Sequence, residues 1–263
     1  MVRTVGGKKA AKERHTIQSL ERAIMILEYL RRGPTSLSEL SRELGLHKST
    51  VFGLLQTLAW HNYVHQEEKT GQYSLGYRVL ALGSAYLENC DLRKVAVPYL
   101  RQLVDEYGET VHLVIMDDGQ VVYVDKIDSP QSIRMVSRIG RRLPAHCTGV
   151  GKAMLAFLPE EKVKLIVEKH GLPGFTPNTI TTWERLVEEL ARIRKEGVSF
   201  DREEIEEGLC CVAAPVIGYY RQPIGAISVS GPKLRMTEEK MSLIAGSLKE
   251  IAAEISRQMG KIF

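Results

Sequence analysis

The stretch His146-Cys147-Thr148-Gly149-Val150-Gly151-Lys152 gathers an imidazole, a thiol, a hydroxyl, two glycines and an ammonium, and further along Ser228 and Ser230 stand two residues apart. A thiol beside an imidazole suggests a nucleophile with its base. Neighbours on an extended segment point to opposite sides, however, so His146 cannot activate Cys147 and no catalytic residue is assigned. Gly149-Val150-Gly151-Lys152 lacks the GxxxxGK[ST] spacing of a phosphate loop, and no nucleotide is expected. What Thr148, Gly149, Val150 and Gly151 can offer is free backbone N–H groups at a helix start, where the positive dipole end favours an anion; an ordinary glycine-rich helix start is the alternative. Ser228 and Ser230 share one side of a strand, and their hydroxyls can donate to a carboxylate. His146, Cys147, Asp201 and Cys211 are all zinc-capable but lack the short paired spacing of structural sites. No metal or cofactor is therefore assigned, and zinc stays the lesser alternative.

A second group lies near the N-terminus. Val51, Leu54, Leu55 and Leu58 fall on one face of a helix that begins near His47, which puts Ser49, Gly53, Gln56 and Trp60 opposite, flanked by Lys48, Phe52 and Thr57. That outward face is polar and free of acids. It can enter a major groove, with Gln56 against a base edge and Lys48, Ser49 and Thr50 on phosphates; a merely solvated face is the alternative.

The elements that must carry these residues follow from periodicity. Leu20, Ala23, Ile24, Leu27 and Leu30 form one apolar stripe of a helix stopped by Arg31-Arg32-Gly33-Pro34. Ser36-Leu37-Ser38-Glu39 reads as a capping box opening a short helix with Leu37, Leu40 and Leu44 inward and Gly45 just past its end. Residues 63–65 and 72–75 have strand content, and Lys69-Thr70-Gly71 makes the turn between them. Helix-turn-helix plus hairpin is a winged helix. Lys69 at the tip can reach phosphate, opposed by Glu67 and Glu68 beside it. Residues 76–91 predict a linker helix. Beyond it the pattern predicts a helix over 95–107, strands over 111–116 and 121–127 around Asp117-Asp118-Gly119, a strand over 133–137, helices near 150–157, 160–169 and 184–196, strands over 211–217 and 223–230, and a closing helix over 238–259. Strands in hairpins with helices on the faces make an α+β domain over residues 92–263.

Composition agrees with this division. The chain has 263 residues, Lys+Arg 36 against Asp+Glu 32, and 44% hydrophobic residues, which excludes disordered and collagen-like classes. Residues 1–75 carry the whole net charge of +4, concentrated in an arm over residues 1–16 that reads as loose and basic. No apolar run reaches the ~18 residues of a membrane span and no signal peptide is visible, so a cytoplasmic location is expected, with no membrane partner. Its four cysteines, with no CxxC pair, are expected to be reduced there.

The first half now resembles a known family. Ser19-Leu20-Glu21-Arg22-Ala23, Leu40-Ser41-Arg42-Glu43-Leu44-Gly45-Leu46, Lys48-Ser49-Thr50-Val51, Leu54-Leu55-Gln56-Thr57-Leu58 and Tyr73-Ser74-Leu75-Gly76 look like the DNA-binding domain of the IclR family of bacterial transcriptional regulators. Residues 143–156, from Leu143-Pro144-Ala145 to Met154-Leu155-Ala156, and Ile227-Ser228-Val229-Ser230-Gly231-Pro232 resemble that family's effector domain. The resemblance implies a dimer or dimer of dimers on double-stranded DNA, a GAF-like effector domain, and a repressor or activator that is not an enzyme. It adds Asp201, Leu209 and Cys211 as ligand positions and Met135 and Leu143 as an apolar wall around a small organic acid. It breaks at Gly53, where many members carry an Arg. The competing reading is a small-molecule or zinc sensor whose winged helix binds protein; the N-terminal location of the charge argues against it.

Overall fold

The structure, a computed structural model, describes residues 17–88 and 91–260; the basic arm and Cys90 lie outside the described residues. The chain divides into two compact units, residues 1–86 and 87–263.

In the first unit α1 (Gln18–Leu30), α2 (Leu37–Glu43) and α3 (Lys48–Trp60) precede a hairpin of β1 (Val64–Gln66) and β2 (Tyr73–Leu75). Ile26, Leu30, Leu40, Val51, Leu55, Val64 and Tyr73 form its core, with Leu37, Leu44, Leu54 and Leu58 packed against it. The apolar stripe of α1 needs a correction. Leu20 and Ile24 are exposed while Ile26 is fully buried, because apolar residues occupy more than one face of this helix and the core takes the face centred on Ile26 and Leu30. Half of the expected capping box forms: the Glu39 amide donates to Ser36 Oγ at 3.2 Å, whereas the Glu39 carboxylate accepts from the Tyr29 hydroxyl at 3.3 Å. Gly45 takes φ 62° and Gly71 φ 69°, the left-handed values that the helix end and the hairpin turn require. Thr35 pairs with Tyr73, adding a third piece of backbone to the hairpin. Helix α4 (Tyr77–Glu88) follows.

The second unit runs α5 (Asp91–Tyr107), β3 (Thr110–Asp117), β4 (Gln120–Ile127), β5 (Arg142–Pro144), α6 (Gly149–Leu155), α7 (Glu160–His170), α8 (Trp183–Glu196), β6 (Ser199–Arg202), β7 (Leu209–Ile217), β8 (Pro223–Pro232) and α9 (Glu238–Gln258). The strands pair antiparallel in the order β5-β4-β3-β8-β7-β6. The sheet is covered on both faces, and β7 shows how the chain sorts itself between them. Cys210, Val212, Ala214 and Val216 enter the core shared with α5 and α9, while Cys211 and Ala213 enter the core shared with α6, α7 and α8.

Two differences from the sequence pattern matter for the site. Residues 133–137 form no strand: Ile133 and Val136 are exposed, and the place beside β4 is taken by β5. Strand β6, which periodicity did not reveal, carries Asp201 into the sheet opposite Cys211.

Candidate functional site

The register of the second sheet aligns its polar residues. Asp201 pairs with Cys211, Cys211 with Ser230, and Ser230 with Thr110, making one row across four strands. Ser199, Ala213, Ser228 and His112 make the next row. Cross-strand partners point to the same face, so both rows lie on the side covered by α6, α7 and α8. Six of these eight residues are polar or charged, and every one is buried. Tyr123 and Leu143 continue the face on β4 and β5, and half-buried Met135 packs against the same cluster.

Helix α6 lies across the rows, over β6, β7 and β8. A Cβ built on Gly149 would lie 3.0 Å from Cys211 Sγ, 3.4 Å from the Ala213 Cβ and 3.7 Å from the Asp201 Cβ, and one on Gly151 would strike the Ala145 carbonyl oxygen at 2.3 Å. The glycines are thus required by close packing of helix on sheet and turn. The Gly151 amide donates to Thr148 Oγ1 at 3.3 Å, and the Thr148 hydroxyl donates to the Pro144 carbonyl at 2.9 Å, which commits one of the amides expected to be free. Val150 is buried in the same cluster, and Leu209 opens β7 on the Cys211 side.

His146 and Cys147 occupy a turn, and not the extended segment assumed from the sequence. The His146 ring bonds the Pro173 carbonyl at 3.0 Å, and burial pushes the Cys147 thiol up to about 12, which leaves it protonated and unreactive at neutral pH. Among the described residues no three His, Cys, Asp or Glu side chains are grouped to hold a metal ion.

The electrostatics of the site come from a residue that sequence spacing did not place there. Lys152 is 1% exposed, and its ammonium donates to Glu204, to Glu189 at 3.3 Å and to the Phe200 carbonyl at 2.8 Å. Burial raises Glu204 above the usual carboxylate range despite this partner. Asp201, whose Oδ1 accepts from the Glu204 amide at 2.8 Å, is pushed by burial up to about 7. At neutral pH Asp201 is therefore able to donate as well as accept a hydrogen bond. Burial likewise pushes Cys211 up to about 12, so it stays a thiol beside the Ser228 and Ser230 hydroxyls. His112, Thr110 and Lys152 were missed by the sequence reading. Their signal was weak: the alternation Thr110-Val111-His112-Leu113 shows a polar face, but only register reveals what it faces.

In the first unit Lys48, Ser49, Phe52, Gly53, Gln56 and Thr57 are exposed on α3, Thr50 is half-buried, and Trp60 is 84% exposed. The first turn of α3 contains no acid, and the Thr57 hydroxyl turns back to the Gly53 carbonyl at 3.0 Å. A cleft of about 690 Å³ runs beside α3, with Phe52, Gln56, Trp60, Gln66 and Tyr73 among its lining. Lys69 stands exposed in the hairpin turn with Glu67 and Glu68.

Comparison with known proteins joins the two units. Residues 19–68 match the IclR helix-turn-helix domain and residues 84–257 the bacterial transcriptional regulator IclR C-terminal domain. The chain belongs to the IclR family. It is 36% identical over 248 residues to the transcriptional repressor IclR of Escherichia coli K12, covering 93% of this chain and 90% of the relative. It is also 36% identical over 246 residues to the regulator XynR of the same strain, covering 93% and 98%. The crystal structure of Thermotoga maritima IclR superposes with a TM-score of 0.77 at 36% identity, over 92% of this chain and 99% of that one. An IclR regulator from Alicyclobacillus acidocaldarius reaches 0.84 at 26% identity, over 94% and 100%. IclR-family membership makes this chain a transcriptional regulator with a helix-turn-helix unit and an effector unit, in a family whose named members are regulators and not enzymes. Among the described residues no helix is long and apolar enough to cross a membrane.

Proposed function

We propose that this IclR-family chain acts in the cytoplasm as a dimer, or dimer of dimers, on near-palindromic operator DNA, and that a small carboxylic acid in the second unit alters its DNA affinity. Helix α3 enters the major groove, with Gln56 reading a base edge, Phe52 and Thr57 beside it, and Lys48, Ser49 and Thr50 on phosphates near the helix start. Lys69 reaches the backbone from the hairpin. The absence of acids from the exposed face of α3 supports this reading over a protein-binding wing.

The effector reading is carried by one observation, the two registered rows of buried polar groups on one sheet face. Ser228 and Ser230 donate to the carboxylate, and Asp201, which burial raises to about 7, donates a further hydrogen bond in its protonated form. Thr148, Gly149, Val150 and Gly151 close the site from the α6 side, Cys211 and Leu209 line β7, and Met135 and Leu143 form the apolar wall. No metal or cofactor is required by this arrangement. Bound acid changes DNA affinity only as far as it favours one arrangement of the chain over another, typically by about 1–3 kcal/mol.

The test is anisotropy of the labelled upstream region of its own gene, titrated with the full chain with and without a panel of small organic acids. Ser230→Ala is expected to bind the DNA and lose the response to acid, and Cys211→Ser to keep both. Failure to bind any part of that region at low salt would overturn the DNA reading. Calorimetry of the full chain with the same acids, and separately with zinc, decides the ligand: tight zinc and no acid would replace the carboxylate by a metal.

A further inference from the structure

His112 is 0% exposed, and its role is not explained by packing alone. Its Nε2 lies 2.8 Å from Ser137 Oγ, and its ring stands edge-on to Tyr123 with centroids 4.9 Å apart, so both the position and the plane of the ring are fixed. Its Nδ1 has no hydrogen-bond partner among the described residues. A buried polar atom left in this state is an uncompensated cost that native structures rarely carry without a use. The surroundings supply one. His112 pairs directly with Ser228, and the residue two before it, Thr110, pairs with Ser230, so the imidazole stands beside the two hydroxyls already assigned to the effector. Helix α6 packs closest to Asp201, Cys211 and Ala213 and reaches β3 least of the four strands, so His112 stands at the β3 margin of the same polar face.

The covering segment points the same way. Residues 129–141 are tied at their start, where the Ser129 amide donates to Thr110 Oγ1 at 3.2 Å, and at their end, where the Gly140 amide donates to the Tyr123 carbonyl at 2.8 Å. Between these ties Ser137 reaches down to His112, and Met135 packs beside it on the apolar cluster. Ser137 and Met135 therefore cover the same sheet face, one polar and one apolar.

We infer that His112, oriented by Ser137, is a specificity-determining residue of the effector site, selecting a carboxylic acid that carries a hydroxyl group over the plain alkyl acid of the same length. The inference rests on the carboxylate reading above and adds the second polar contact. Burial holds the imidazole neutral, so one ring nitrogen bears a proton and the other is bare. If Nε2–H donates to Ser137, Nδ1 is an acceptor; if the Ser137 hydroxyl donates to Nε2, Nδ1–H is a donor. A ligand hydroxyl satisfies either tautomer, since it both donates and accepts, whereas a second carboxylate satisfies only one.

The experiment uses the full chain and two matched pairs of probes, glycolate against acetate and lactate against propionate, followed by calorimetry. The wild type is expected to bind the hydroxy acids at least about tenfold tighter than their partners. In His112→Phe that preference should fall to near unity while affinity for the plain acid remains, and in His112→Asn, whose amide can take the place of Nδ1, it should be largely retained. Nitrogen-15 spectra of the histidine ring in the unaltered protein give a readout independent of any variant: Nδ1 of His112 should shift with glycolate and stay put with acetate. Binding of both kinds with equal affinity, or an Nδ1 signal that neither moves, overturns the role of His112 and leaves the carboxylate site standing. Binding of no acid by the wild type overturns the carboxylate reading, and this inference with it.

Discussion

The two units present their polar chemistry in opposite ways. In the first, the side chains proposed to touch DNA stand on α3 and in the hairpin turn, all exposed but half-buried Thr50, and the buried groups are almost all apolar. In the second, Thr110, His112, Lys152, Ser199, Asp201, Ser228 and Ser230 are all buried between sheet and helices. The difference fits the partners. A phosphate backbone is long, charged and met at a surface, where water screens imperfect contacts. A small acid offers few atoms, so it must be met by groups already desolvated and aimed, and those groups need mutual support when the site is empty. Lys152 with Glu204 and Glu189 is that support. The first unit should therefore tolerate changes at its functional face with little loss of stability, and the second should not.

The largest effect that checks this contrast is expected at Lys152. Lys152→Met leaves Glu204 without its cation in a buried setting, and breaking a buried pair in this way typically costs about 3–5 kcal/mol. Urea unfolding followed by a reporter in each unit should show the second unit weakened by that order and the first unchanged. Lys152→Met with Glu204→Gln should recover much of the loss, because the stranded charge is then gone. A single variant as stable as the wild type would mean that the buried ion pair is not what holds the site.

Next in size is the pH dependence of the second unit, where two buried groups oppose each other. Asp201 rises from 3.8 to about 7 on folding, so its contribution is fully present below pH 3.8 and is lost as pH rises toward 7. His112 falls from 6.5 to about 3, so its contribution is present above pH 6.5 and is lost as pH falls toward 3. Each proton difference is worth about 1.4 kcal/mol per pH unit, and between about pH 4 and 6.5 the two slopes have opposite signs and largely cancel. Asp201→Asn should uncover stability that rises with pH across that window, and His112→Asn stability that falls. Parallel slopes in the two variants would rule out the opposition. Acid binding should weaken as pH climbs past about 7, where Asp201 loses the proton it donates.

At the DNA face, Gln56→Ala should cost about 1–3 kcal/mol of binding at one base position, with the other positions ranked as before. Lys48→Ala should weaken all sequences alike and reduce the salt slope by about 1. Neither change should move the urea midpoint by much, since both side chains are exposed. A large stability loss at Gln56 would blur the distinction between the two units.

The same contrast explains what could be read before any coordinates. The first unit is built from local signals: leucine spacing on α2 and α3, Ser36 as a cap, and Gly45 and Gly71 where left-handed backbone is needed. These act within a few residues, and they place α3 and its exposed face. In the second unit the Asp118-Gly119 turn and the pairing of β3 with β4 were equally legible, at φ 51° and 78°. The partners of Lys152 were not, because Glu189 and Glu204 lie 37 and 52 residues away along the chain. The row that joins Ser228 to His112 likewise exists only once β8 lies beside β3. Residues 133–137 misled for the converse reason, since alternation marks a strand only where the segment is laid against a partner strand, and the place beside β4 belongs to β5.

The smallest effect tests the first unit at Gly53. Gly53 sits in the interior of α3 with helical backbone, exposed, and a Cβ built there meets nothing within 4 Å. Nothing in the fold of this unit therefore requires glycine. Its presence lowers helix propensity by roughly 1 kcal/mol relative to alanine and adds freedom to the unfolded chain. Gly53→Ala should raise the stability of the first unit by about that amount and leave the second untouched. Gly53→Arg should recover most of the same gain and place a cation on the acid-free face between Phe52 and Gln56, so its DNA affinity should rise at low salt and fall more steeply as salt is added. Loss of DNA binding on Gly53→Ala, with the unit still folded, would show instead that the bare backbone at this position must approach the duplex closely, and that glycine is kept for contact at the expense of the helix.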